Sequence, residues 1–213
     1  MQPTPSWKVL YLGGSSGIGK TTLALSLARH FGISLMLADD VRLAIQQVTT
    51  RDFLPDLHLF DNDQKAAALS PEQLCNSLIT LGQAMSPALK MMAAHHVVVS
   101  GVGSIVIEGD NVLPAMTAQN QFTELKHFQG LTTHNEVRSV FLYEPEEAIL
   151  LQNMRDRGRG FSNLSPKEQH RLAHASWLFG QWVYQETQTY NLPVFAVRPW
   201  DSLFDRVLAT LQD

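Results

Sequence analysis

Gly14-Ser15-Ser16-Gly17-Ile18-Gly19-Lys20-Thr21 packs three glycines, a lysine and three hydroxyls into one short stretch. The spacing fits G-x-x-x-x-G-K-[ST], a loop that cradles phosphates. Glycines let the backbone turn tightly and approach a phosphate with no Cβ in the way. Successive backbone N–H groups and the positive end of a following helix then face an anion. Lys20 is expected to reach the terminal phosphates and the Thr21 hydroxyl to ligate Mg²⁺. Thr22, at the helix start, is placed to bond an α-phosphate.

Three further charged clusters carry possible chemistry. The first is Asp39, Asp40 and Arg42. A carboxylate there can take a proton from a hydroxyl attacking a γ-phosphate, or hold that hydroxyl in line. Arg42 suits an anionic group on the acceptor, and either aspartate also suits a helix N-cap. The second is Glu108 and Asp110, after Ile105-Val106-Ile107. An acid after such an apolar run resembles a Walker B carboxylate that orients Mg²⁺ or water; ordinary turn acids look the same. The third is Arg155, Arg157 and Arg159, spaced by Asp156 and Gly158. Arginines on a mobile lid neutralise charge on a transferred phosphoryl group, and a solvated basic loop is the alternative. His170 and His174 are one helical turn apart with no third metal ligand evident. Arg198-Pro199-Trp200 could border an adenine or form a simple turn.

Alternating strand and helix signals must position these clusters, which implies a parallel sheet covered on both faces. Residues 8–12 and 34–37 are expected as strands, with an amphipathic helix over 22–31 between them. Val41, Ile45 and Val48 suggest a short helix, and residues 51–64 look irregular. Ser70-Pro71-Glu72-Gln73 is a capping box that opens a long helix. Pro87 is expected to break or kink it, with Ser86 capping a new helix. Val97-Val98-Val99 fits a strand or a helix end. Ser104–Ile107 is expected as the third strand and Val137–Leu142 as the fourth. Pro145-Glu146-Glu147 starts a helix, and Ser165-Pro166-Lys167-Glu168 is a second capping box. Leu192–Val197 is the last strand, and Ser202–Leu211 the closing helix.

The 213 residues suit one α/β domain, with a lid at about 155–164. A net charge of −4 argues against a nucleic-acid module. No apolar run is long enough to span a membrane. Residues 1–6 lack the basic and apolar regions of a signal peptide. Cys75 is the single cysteine, which excludes an internal disulfide and fits a reducing, cytoplasmic setting.

Gly13-Gly14-Ser15-Ser16-Gly17-Ile18-Gly19 also fits the dinucleotide-binding turn of short-chain dehydrogenases. Those enzymes need a Tyr-x-x-x-Lys pair. Tyr11, Tyr143, Tyr184 and Tyr190 are followed four residues later by Ser15, Glu147, Gln188 and Val194. The Asn-Lys-x-Asp string of GTPases does not occur.

The glycine loop, the acid-and-arginine cluster and the arginine lid together resemble the P-loop small-molecule kinases of the adenylate-kinase-like group. Within it, Gly13–Gly17, Asp39-Asp40-Val41-Arg42 and Ile107-Glu108-Gly109-Asp110 with Leu113-Pro114 resemble 2-phosphoglycerate kinase and its uncharacterised relatives. The resemblance follows element order over residues 8–211; residues 51–64 and 115–136 match nothing in it. It implies a three-layer P-loop NTPase fold with a five-stranded sheet in order 2-3-1-4-5. It implies Mg²⁺-ATP as donor and a small hydroxylated, anionic acceptor. Gly14, Ser15, Ser16, Gly17, Ile18, Gly19, Lys20, Thr21, Thr22 and Arg157 would then hold the nucleotide. Thr21 and Glu108 would hold the metal, and Arg42, Glu108 and Asp110 the acceptor. Lys20, Asp39, Asp40, Arg155 and Arg159 would act in transfer, in a monomer or homodimer. The alternatives are a P-loop ATPase or nucleotide-binding regulatory protein, and an antibiotic, nucleoside or sugar kinase.

Overall fold

Strand β1 (Val9–Gly14) is buried at all six positions. An apolar strand without polar alternation belongs inside a parallel sheet covered on both faces. Here β1 pairs in parallel with β3 (Ile105–Glu108) on one edge and β4 (Val137–Tyr143) on the other. β2 (Ser34–Leu37) and β5 (Val194–Ala196) complete five parallel strands, in the order β2-β3-β1-β4-β5. This is the order that the resemblance to the P-loop kinases implies. The computed structural model describes residues 2–60, 67–99, 101–118, 136–158 and 160–212.

Seven α-helices are named among the described residues: α1 (Lys20–Phe31), α2 (Ala38–Val48), α3 (Pro71–Val98), α4 (Pro114–Thr117), α5 (Glu147–Arg157), α6 (Pro166–Thr189) and α7 (Leu203–Gln212). The period-2 alternation of strand side chains assigns each helix a face. Val9 and Tyr11 join Ile107 and Phe141 against Met85 and Leu89 of α3 and Phe179 of α6. Leu10 and Leu12 join Val140 and Leu142 against Leu27 of α1, Leu150 of α5 and Val207 of α7. The Tyr11 hydroxyl donates to the Leu89 carbonyl at 2.9 Å, which satisfies a polar atom deep in the first layer.

Two local expectations are corrected and one open reading, of Val97-Val98-Val99, is decided. Pro87 does not end the long helix, because α3 runs unbroken over 28 residues to Val98. Ser86 therefore caps nothing, and its hydroxyl donates back to the Gly82 carbonyl at 2.9 Å. Packing of Met85, Leu89 and Ala93 into the core outweighs the local cost of one proline. Val97 and Val98 close α3 and are not a strand. At Ser165 half of the capping box forms. Its hydroxyl accepts from the Glu168 N–H at 3.2 Å, while the Glu168 carboxylate turns to Arg171. The irregular stretch after α2 contains a 3-10 turn over Pro55–His58.

Candidate active site

The glycine loop and the acids after β2 and β3 lie at the carboxyl edge of the sheet, where open α/β folds bind ligands, and Arg157 reaches the loop from α5. The loop between β1 and α1 is the floor of a cleft of about 580 Å³. Gly17 and Gly19 take left-handed backbone, with φ of 84° and 85°. A Cβ on Gly17 would lie 2.6 Å from Met154, and one on Gly19 would lie 2.4 Å from the Trp200 ring. Close approach and backbone sign therefore both demand glycine.

Lys20 is the first residue of α1 and only 5% exposed. Its Nζ donates to the Ser15 carbonyl at 2.8 Å and to Asp110 Oδ1 at 2.5 Å. Thr21 Oγ1 donates to Glu108 Oε2 at 3.0 Å. Glu108 ends β3, and pairing with β1 brings it level with Leu12. Burial raises the Glu108 carboxyl above the ordinary glutamate range; Lys20 and the Thr21 hydrogen bond pull the other way, while Asp110 and Asp39 add to the rise.

The two sides of the loop differ. On the β2–β3 side stand Asp39, Glu108 and Asp110. Gly109 lets that side close up, since a Cβ there would lie 2.6 Å from the Ala38 Cβ. Asp39 and Asp40 fall in the first turn of α2, whose N-cap is Leu37, so neither aspartate caps the helix by its side chain. Arg42 Nε is 3.3 Å from Asp39 Oδ1, and its Nη1 donates to Gln46. On the β4–β5 side stand Asn153, Asp156 and Arg157 of α5, then Val197, Arg198 and Trp200 beyond β5.

Ser16, Gly17, Ile18, Gly19, Lys20, Thr21 and Thr22 all line the cleft, as do Asp39, Glu108, Asp110 and Arg157. Gly14, Ser15, Asp40, Arg42 and Arg155 lie outside its lining. The three arginines do not act as one group. Arg157 Nη1 reaches Ser16 Oγ at 3.4 Å, while Arg155 Nε donates to Gln169 of α6 at 2.8 Å. Arg159 lies outside the described residues. Gly158 ends α5, and a 3-10 turn follows over Phe161–Asn163. His170 is bound to the Pro166 carbonyl and His174 to Glu147. No cluster of three or more His, Cys, Asp or Glu suited to a metal occurs among the described residues.

Sequence reasoning missed Asn153 and Asp156. With Arg157 they stand at i, i+3 and i+4, one face of α5. That spacing was the available signal, and it also puts Arg155 on a different face.

The residues fit a nucleoside triphosphate and a divalent cation. The loop offers a buried lysine and, from Ser16 to Thr22, a run of residues that line the cleft. Thr21 and Glu108 offer hard oxygen atoms side by side, the donor type Mg²⁺ takes.

No family model matches the chain. The 2-phosphoglycerate kinase of Methanocaldococcus jannaschii is 29% identical over 135 residues, 60% of this chain and 42% of that protein. The Thermococcus kodakarensis 2-phosphoglycerate kinase is 39% identical over 49 residues, 22% of this chain and 17% of that protein. The matches thus span less than half the length of these relatives. Shikimate kinase from Acinetobacter baumannii, solved with shikimate, superposes with a TM-score of 0.51 at 15% identity, covering 99% of this chain and 94% of that one. The chain has the fold of the P-loop kinases. Shikimate kinase from Bacteroides thetaiotaomicron agrees, with a TM-score of 0.50 at 16% identity over 96% of this chain and 98% of that one. Within the P-loop kinase fold, the sequence resembles 2-phosphoglycerate kinase. No helix among the described residues is long and apolar enough to cross a membrane.

Proposed function

We propose that the protein is an ATP-dependent kinase. It transfers the γ-phosphoryl group to a small hydroxylated metabolite, with 2-phosphoglycerate-like acids the first class to test. One observation carries the reading: Lys20 meets Asp110, just beyond β3, and Thr21 meets Glu108, the last residue of β3, inside one cleft. A phosphate-binding lysine, a metal-binding hydroxyl and two acids in contact are the parts phosphoryl transfer needs.

Each residue has a role in this reading. The loop amides from Ser16 to Thr22 and the start of α1 hold the phosphates. Lys20 holds the charge that builds on the transferred group. Mg²⁺, when bound through Thr21 and Glu108, supplies charge neutralisation at the phosphates. Asp39, on the same side as these acids, orients or deprotonates the acceptor hydroxyl. Arg42, held on Asp39 and Gln46, and Asp110 complete the acceptor side. The other side offers the Trp200 indole and the Arg198 guanidinium, whose flat faces suit a nucleobase. Arg157, held on Ser16, covers the loop and limits wasteful hydrolysis. The chain works as one domain in this reading.

The test is ADP formation from Mg²⁺-ATP with a panel of hydroxylated metabolites, 2-phosphoglycerate included. Turnover that depends on both the acceptor and Lys20 supports a kinase. Acceptor-independent turnover, or binding without turnover, moves the reading to an ATPase or a regulatory nucleotide-binding protein.

A further inference from the structure

We infer that Glu144 is a positioning residue for the nucleoside side of the cleft: a buried carboxylate that holds the Arg198 guanidinium in the wall. The inference rests on reading the cleft as a nucleotide site.

The backbone sets the two residues side by side. The Val197 N–H donates to the Tyr143 carbonyl at 3.1 Å, so the next residues, Arg198 and Glu144, leave β5 and β4 together. Helix α6 pins this turn from behind. Gln181 donates to the Glu144 carbonyl at 3.2 Å, and Trp177 Nε1 to the Pro145 carbonyl at 3.1 Å. The Glu144 side chain is 1% exposed, whereas that of Arg198 is 52% exposed. Glu144 Oε1 accepts from the Glu146 N–H at 3.2 Å. Its Oε2 is buried with no hydrogen-bond partner among the described residues, and Arg198 Nε is 3.7 Å from it.

A carboxylate oxygen shut away from water needs a cation or a donor. Arg198 is the cation facing it, so the buried acid holds a half-exposed arginine that would otherwise sample many rotamers. The outer edge of the guanidinium is held too, since Nη2 reaches Asn153 Oδ1 at 3.4 Å. Fixed at both edges, Arg198 offers a fixed face to the cleft, and less entropy is lost when a nucleotide binds. Glu144 itself is not among the residues lining the cleft. Its effect on nucleotide binding therefore runs through Arg198.

The experiment compares the full-length protein with E144Q, R198A and the double variant. It reads ATP binding, steady-state turnover and melting temperature. Each single variant is expected to raise the KM for ATP about fivefold with kcat unchanged. The double variant should bind no more weakly than R198A alone. R198A should also melt lower than the wild type, because it strands the Glu144 charge, and adding Glu144→Gln should restore the loss. An unchanged KM in E144Q, or additive losses in the double variant, would overturn the inference while leaving the nucleotide reading intact. Wild-type protein that binds no ATP would overturn both. If E144Q does not fold, R198A decides alone: an unchanged melting temperature overturns the pairing.

Discussion

At the scale of residues, the chemistry converges on Lys20 and Glu108. Lys20 is buried, and its Nζ lies between a loop carbonyl and Asp110. Lys20→Ala is expected to reduce acceptor-dependent ADP formation at least about a hundredfold, with an unchanged circular dichroism spectrum; retained turnover would remove Lys20 from the reaction. Glu108 sets stability against function. Its folded carboxyl sits above the ordinary glutamate range because burial disfavours the charge. The native state therefore holds a proton that the unfolded state has already lost, in the window between the two values. Stability from this group is full below the unfolded value and is lost as pH rises through the folded one. Glu108→Gln should consequently raise the melting temperature at neutral pH, and the gain should vanish as pH falls into the carboxylate range. The same change should reduce turnover by removing a Mg²⁺ ligand. A variant that melts lower than wild type at neutral pH would contradict the burial account.

At the scale of elements, Gly109 fits against Ala38 where β2 and β3 end, and its N–H donates to the Leu12 carbonyl of β1 at 3.1 Å. Gly109→Ala is expected to overpack this contact, costing about 1–3 kcal/mol in urea unfolding, and to lower turnover by parting Asp39 from Glu108. Unchanged stability and rate would show that the contact is slack. Most elements and the parallel sheet were legible in the sequence, because apolar runs, capping boxes and strand–helix alternation mark them, while the strand order came from the resemblance to the P-loop kinases. The loop residues and the acids after β2 and β3 were legible because each follows a strand end. Pro87 misled because tertiary packing of α3 overrode a local breaker. Arg155 and Arg157 read as parts of one arginine lid because the sequence alone places the segment between helices, whereas α5 runs to Arg157 and turns the two to different partners. Glu144 was not legible, since nothing local marks the acid after β4 as buried. Only the pairing of Val197 with Tyr143 across the sheet brings Arg198 to it.

At the scale of the whole molecule, a ligand that binds only the folded chain stabilises all of it. ATP at a hundred times its dissociation constant contributes about 2.7 kcal/mol, expected to raise the melting temperature by about 5–10 °C. Lys20→Ala should lose most of this rise; an equal rise in that variant would place ATP elsewhere. The position of β1 has a consequence of another kind. It is buried at every residue and hydrogen-bonded along both edges, and the phosphate loop grows directly from its end. Amide hydrogens of Val9–Gly14 should therefore be among the last to exchange with deuterium, opening only when the chain unfolds globally. The outermost strands β2 and β5 should exchange sooner. The loop's anchor would then keep its shape while the sheet's rim breathes, so that affinity for phosphate would persist under mild denaturant until the final cooperative transition.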